Sequence, residues 1–222
     1  MSKRILSNLI DKITYPPDQK RLYIGASNIG SECLRQIWYE FKSFTSTPHL
    51  GRHQRNLEVG KKFESMIVDW IEKAGVTIIK PHSSNHYLEY FDDELPYFRG
   101  HADALLPTLK AVLDIKVIKA SSYRDFVNKG LKEWSPIYYA QLQSYMGMGH
   151  IPHAYLLALN KDTAEIHDEK INFDNAYYKS LKERAKMIAD SPSEPNRISS
   201  NPAWWLCKIC KYRTICHDET HS

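Results

Sequence analysis

The 222-residue chain lacks any apolar run of the length needed to cross a bilayer, which excludes a membrane-spanning helix. It lacks internal repeats and low-complexity blocks, which excludes a repeat array or a compositionally biased tail. It lacks a secretory signal: the stretch 1–18 begins basic, but Ser, Asn, Asp and Lys interrupt its apolar residues. The chain is therefore expected in the cytoplasm. Cysteine is scarce, with four in all, three of them within the ten positions 207–216. In a reducing compartment that scarcity excludes a disulfide framework and points to a metal site or reactive thiols. A strong charge imbalance is missing too: the net charge is +4, which permits a polyanionic partner without requiring one. What is present is ordinary for a soluble globular protein, 42% hydrophobic and 25% charged, with fourteen Tyr and five Trp. The length suits one large domain spanning 1–222, with a core of about 56–190.

Residues 31–43 predict a helix with Leu34, Ile37, Trp38 and Phe41 on one face. Residues 56–74 predict a second, striped by Phe63, Met66, Ile67, Trp70, Ile71 and Ala74 and ended by Gly75. Strands are expected at 76–80 and 86–91. Two more, within 97–120, are joined by a tight turn at 107–110. A helix follows at 136–149, a buried strand at 154–160, a weaker strand near 165–173, and a helix capped by Asp174. The Pro/Ser-rich connection 191–204 leads to the cysteine tail. This order gives an α/β domain with a central mixed β-sheet flanked by helices.

The turn fixes a register. A two-residue loop at Thr108–Leu109 sets Asp103 opposite Asp114, with Cβ atoms ~5 Å apart. Lys116 then projects from the same face. Ala102, Ala104, Leu106, Leu113, Ile115 and Val117 form the apolar opposite face. Two facing carboxylates call for positive charge between them, from Lys116 and from a hard divalent cation, Mg²⁺ or Mn²⁺. Glu64 borders the stripe of the 56–74 helix as a third carboxylate. Gln141 and Tyr145, four apart, share a face of the 136–149 helix. A metal held by Glu64, Asp103, Asp114 and the Ile115 carbonyl suits phosphodiester hydrolysis. In that chemistry Lys116 orients or deprotonates a water or stabilises charge, and Gln141 and Tyr145 position the DNA backbone or the metal-bound water. His101 points to the side of Asp103 and is left out of this set. In the tail, Cys207, Cys210 and Cys216 make a three-thiol constellation whose fourth ligand is Cys33, His217 or His221; spacing does not separate zinc from iron–sulfur.

These motifs in this order resemble the PD-(D/E)XK nuclease superfamily, in its RecB-like exonuclease branch. Gly100–Asp103 matches its GxxD strand, Asp114–Lys116 its (D/E)xK strand and Gln141–Tyr145 its QxxxY helix, while "GKKFE" places Glu64 where some relatives carry His. The resemblance implies a restriction-endonuclease-like core and a Mg²⁺- or Mn²⁺-dependent deoxyribonuclease. Catalytic residues would be Glu64, Asp103, Asp114, Lys116, Gln141 and Tyr145. The tail is similar to that of CRISPR-associated RecB-like and AddB-type nucleases, which set one cysteine before the core, on a "CxR…Y" helix, and three after it. That implies a [4Fe–4S] cluster on Cys33, Cys207, Cys210 and Cys216, with zinc second, joining segments 27–43 and 204–217 across the core. The cluster would close a loop of about 174 residues and pin the connection.

The implied partner is DNA, as single strands or free ends, in recombination, repair or phage DNA processing, with repair or recombination proteins as further partners. Arg35, Arg52, His53, Arg55, Lys119, Ser121 and Ser122 are candidates for phosphate contacts, and Tyr123 and Trp134 for base stacking. Two alternatives stand beside an exonuclease: a structure-specific or nonspecific endonuclease, and a DNA-binding assembly factor whose site is vestigial.

Overall fold

The computed structural model describes residues 5–13, 21–47, 51–81 and 88–217, the His53 side chain excepted. In chain order the elements are α1 (Ile5–Asp11), β1 (Ile24–Gly25), α2 (Leu34–Phe41), α3 (Gly51–Lys73), β2 (Leu88–Phe91), β3 (Phe98–Ala102) and β4 (Ala104–Leu106). They continue with β5 (Ala111–Ile118), α4 (Ala120–Lys129), α5 (Leu131–Trp134), α6 (Pro136–Met148), β6 (His153–Asn160), β7 (Ile166–Asn172), α7 (Asn175–Asp190), α8 (Trp205–Ile209) and α9 (Arg213–His217). None of the described helices is long and apolar enough to cross a membrane.

The strands form mixed sheets ordered β1-β3-β2 and β4-β5-β6-β7, where the sequence led us to expect one. They separate at Asp103, a bend between β3 and β4. β5 and β6 run parallel, and the crossover between them is α4–α6. Both faces of β5 are covered. Val112 joins Ala154, Leu156 and Ala158 beneath Leu142 and Met146 of α6. Ala111, Leu113 and Ile115 pack with Leu159 on Ile67 and Val68 of α3. That alternation follows from the period-two direction of strand side chains, and cover on both faces accounts for the apolar run in β6. A third cluster joins α2 and α7 to β1 and β3, and takes in Tyr212 of the tail.

The β4–β5 register is the expected one, Ala104 with Leu113, Leu105 with Val112 and Leu106 with Ala111. The loop, however, has four residues rather than two. Pro107–Leu109 make a 3₁₀ turn, the Lys110 amide donates to the Pro107 carbonyl, and Lys110 takes a left-handed φ of 48°. Both loops are centred between residues 108 and 109, so the register survives the change. Asp103 does not pair in the ladder. The bend there also moves Ala102 away from the Ala104 face and into the cluster under α6.

Other expectations shift for identifiable reasons. α3 begins at Gly51, five residues early, because after that glycine "RHQR" is charged but holds no Gly or Pro to break the helix, and a charged first turn carries no apolar stripe to read. Its core face is Phe63, Ile67, Val68 and Ile71, whereas Met66 and Trp70 are exposed. Gly75 ends the region in a left-handed φ of 83°. The strand expected at 76–80 is a single bridge, Ile79 with Leu105. Of the strand expected at 86–91, Leu88–Phe91 is formed; residues 86 and 87 lie outside the described residues. The Asp174 side chain caps α7 by accepting from the Tyr177 amide at 3.0 Å.

Candidate active site and cysteine cavity

α6 carries both the residues and the reason for their position. Pro136 opens it, the Ser135 hydroxyl accepts from the Tyr138 amide at 3.4 Å, and residues 139–148 are all buried. A helix buried all round must satisfy its polar side chains from within. Gln141 does so by donating through Nε2 to Asp114 Oδ1 at 3.0 Å and to the Tyr145 hydroxyl at 2.6 Å. Tyr145 in turn donates to the His101 carbonyl at 2.5 Å. A chain of hydrogen bonds thus runs from β3 through α6 to Asp114 on β5. Gln141 and Tyr145 are turned inward: Gln141 bonds Asp114, which is 2% exposed, and Tyr145 bonds Gln141 and the His101 carbonyl.

This chain leaves no room at Gly100. A Cβ there would lie 2.5 Å from Tyr145 Cε1 and 2.8 Å from the Ala26 Cβ. Gly100→Ala is therefore expected to destabilise the protein by about 1–3 kcal/mol and to displace Tyr145. Urea denaturation of the variant, set against Gly60→Ala, where a Cβ meets nothing within 4 Å, checks this.

On its other oxygen Asp114 faces Lys116, whose Nζ lies 2.6 Å from Oδ2. Burial alone would lower the lysine, but Asp114 and then Asp103 outweigh it and hold Lys116 above its ordinary range. Lys116 is therefore a cation here, suited to holding negative charge rather than to taking a proton from water. Asp103 Oδ2 accepts from the Ile115 amide at 2.6 Å. Ile115 thus meets Asp103 through its N–H, a different atom from the carbonyl that the sequence assigned to a metal. Burial, then the Asp114 carboxylate, push Asp103 up to about 8 against the pull of Lys116. Glu64 on α3 is also raised, first by burial, with Lys116 opposing and Asp114 adding to the shift. The structure brings Glu64, Asp103, Asp114, Lys116, Gln141 and Tyr145 into one neighbourhood. Sequence reasoning missed Tyr138, whose ring lies against Lys116 Nζ at 4.8 Å from its centroid; its position three residues before Gln141, on the same helix face, was the available signal.

Among the described residues, no three His, Cys, Asp or Glu side chains stand together closely enough to hold a metal ion. The carboxylate donor set nevertheless suits a hard cation. Asp114 Oδ2 is buried and accepts no hydrogen bond of good geometry, even with Lys116 beside it, and two raised carboxylates share its field.

Cys33, Cys207, Cys210 and Cys216 line one cavity with Arg35, Arg197, Arg213 and His217. All four thiols are free. The Tyr212 amide donates to Cys210 Sγ at 3.4 Å and Arg35 Nη1 to Cys216 Sγ at 3.8 Å. Burial first, then the Cys216 and Cys33 thiols, push Cys207 up. His217 lines the cavity with a buried Nε2 that finds no hydrogen-bond partner among the described residues; burial and the surrounding arginines lower it. His221 lies outside the described residues.

Several candidate DNA contacts are otherwise engaged. Arg35 donates to the Pro195 carbonyl at 2.7 Å and pairs with Glu194 at 2.9 Å, so with Trp38 Nε1 on the Ser191 carbonyl it holds the 191–204 connection onto α2. Arg55 pairs with Asp11. The Ala120 amide at the start of α4, beside Lys119, Ser121 and Ser122, donates to Asp162 at 2.8 Å, an acidic neighbour for any phosphate there. Tyr123 packs edge-on to His167, and Trp134 lies against Phe126 and Tyr138. Arg52 and Lys119 are exposed, and the His53 side chain lies outside the described residues.

No protein-family profile matches the chain, and no curated protein matches it. Solved structures do. The alkaline exonuclease LHK-Exo of Laribacter hongkongensis superposes with a TM-score of 0.59 at 12% identity, over 77% of this chain and 87% of that one, and its complex with dAMP with 0.60 at 13%. A phage-related exonuclease from Haemophilus somnus 129PT gives 0.55 at 15% identity, covering 76% and 92%. A protein described as SSO0001 gives 0.56 at 18% identity, and 96% of each chain is covered. The chain thus shares the α/β fold of these solved structures, the alkaline and phage-related exonucleases among them.

Proposed function

We propose that the chain is a Mg²⁺- or Mn²⁺-dependent DNA exonuclease that hydrolyses phosphodiester bonds of single strands or DNA ends, in recombination, repair or phage DNA processing. The observation that carries this reading is the fixing of Asp114: one oxygen on the Gln141 amide, the other 2.6 Å from Lys116, with two further carboxylates raised beside it. A structural ion pair needs neither extra carboxylate, since each adds repulsion. Glu64, Asp103, Asp114 and the Ile115 carbonyl would hold the metal. When bound, it polarises the phosphoryl oxygen and acidifies a water. Lys116 holds charge that builds on the phosphate oxygens. Gln141 and Tyr145 keep Asp114 from turning away.

The four cysteines would hold a [4Fe–4S] cluster, with zinc as the second choice. The donors are all thiols, and two of them already accept N–H hydrogen bonds of the kind that tune such clusters. Four thiolates around either centre leave net negative charge, which Arg35, Arg197 and Arg213 are placed to offset. Because Arg35 and Trp38 tie the connection down independently of the thiols, the cluster would lock an arrangement that is already docked.

Anaerobically purified protein, given end-labelled linear DNA and a circular single strand with Mg²⁺, tests the activity. Release of mononucleotides or short fragments from the linear strand, with the circle intact, is expected. Cleavage of the circle would assign an endonuclease, and no cleavage of either would leave a DNA-binding factor. The same sample is expected to be brown, with about four iron and four sulfide per chain. One equivalent of zinc and no sulfide would assign the zinc site instead.

A further inference from the structure

α6 turns Tyr138, Gln141 and Tyr145 to one side, at spacings of three and four. Gln141 and Tyr145 are committed to Asp114. We propose that Tyr138 is the positioning residue for Lys116: its ring and the Asp114 carboxylate hold the ammonium between them, so a single helix face fixes both charged members of the Asp114–Lys116 pair.

The geometry supports the division of labour. Lys116 sits at the end of the buried part of β5, and its side chain keeps 20% of its surface open. A lysine stem has four flexible carbons, and a single carboxylate fixes one contact of the ammonium without fixing its direction. The Tyr138 ring, 4.8 Å from Nζ, supplies a second, directional contact through its π face. The ring is itself anchored. The Ser135 cap holds its amide, Trp134 packs on it at 5.6 Å between centroids, and Phe126 packs on Trp134 at 5.0 Å. A run of tilted, packed aromatic rings therefore connects α4 through α5 to Lys116. An aliphatic residue of similar volume would fill the space but present no negative face to the ammonium.

The kinetic part of the inference rests on the nuclease reading; the positioning part does not, and the experiment separates them. Tyr138→Leu, Tyr138→Met and Tyr138→Phe would be made in the metal-loaded full chain. Acetylation of Lys116 by an N-hydroxysuccinimide ester, read by peptide mass spectrometry, reports how firmly the ammonium is held. In the Leu and Met variants Lys116 is expected to react severalfold faster, and kcat on linear single-stranded DNA to fall about 2- to 30-fold, with KM within twofold of wild type. Tyr138→Phe keeps the ring face and is expected to restore slow acetylation and to recover kcat to within about threefold. Met repacks more readily than Leu and carries the test should the Leu variant not fold. Unchanged Lys116 acetylation in the Leu and Met variants would overturn the proposal, as would a Phe variant as impaired as they are. If wild type cuts no DNA the nuclease reading fails, and the acetylation series still decides whether Tyr138 holds Lys116.

Discussion

Asp114→Asn is expected to lower the rate of DNA degradation at least ~10³-fold while leaving the protein folded. The reduction is large because the change removes a ligand charge from the proposed metal site and the partner of Lys116 in one step, and metal-borne charge stabilisation is worth several kcal/mol. Folding is expected to survive, since the amide still accepts from Gln141 at the place where Oδ1 now does. Losing the charge also relieves the repulsion on Asp103. Lys116, part-exposed, can turn to Asp103 or to water. Single-turnover digestion of end-labelled DNA, with circular dichroism and a melting curve on the same sample, reads both outcomes. Activity within tenfold of wild type would remove Asp114 from the reaction.

A second large effect is in stability. Asp103 is raised to about 8 and Glu64 is raised as well. An acid whose folded pKa exceeds its unfolded value of about 4 keeps a proton in the folded state that the unfolded chain has given up. Across that window the folded state binds more protons, so stability falls as pH rises, by up to ~1.4 kcal/mol per pH unit for one such proton. Lys116, held above its ordinary range, stays charged throughout the window and adds no slope, whereas His101 and His217, both lowered first by burial, oppose part of the decline at its acid end. In EDTA the unfolding free energy is therefore expected to decline from pH 5 to pH 8, by several kcal/mol in sum. A divalent cation takes the place of the proton, so millimolar Mg²⁺ should flatten the decline, and Asp103→Asn should remove most of it without metal. Urea denaturation at four pH values checks the sign. A pH dependence in EDTA that Asp103→Asn leaves unchanged would show that Asp103 is not held in the protonated form.

Much of this site was legible in the sequence, because its parts obey short-range rules. Strand alternation puts Asp114 and Lys116 on one side of β5, and helical spacing puts Gln141 beside Tyr145. The β4–β5 register could be counted from the turn even though the turn itself was misjudged. A loop of four residues and a loop of two share a centre; the 3₁₀ turn at Pro107–Leu109 and the left-handed Lys110 distinguish them. The split of the sheet at Asp103 was not legible. Nothing in "GHADALL" marks the bend, which depends on β3 pairing with β1 and β2 while β4 pairs with β5. Roles set by long-range packing were hidden for the same reason. Arg35 reads as a free cation beside Cys33 until Glu194 and Pro195 arrive from the far end of the chain. Tyr138 reads as one aromatic among many until β5 brings Lys116 to it.

The most direct test of the central reading is a crystal of the protein soaked in Mn²⁺, with diffraction collected for anomalous signal. One peak within coordinating distance of Asp103 and Asp114, with Glu64 turned toward it and the peak lost in Asp114→Asn, is the expected result. A fully soaked crystal with no peak at these carboxylates, and DNA degradation that EDTA does not stop, would contradict it.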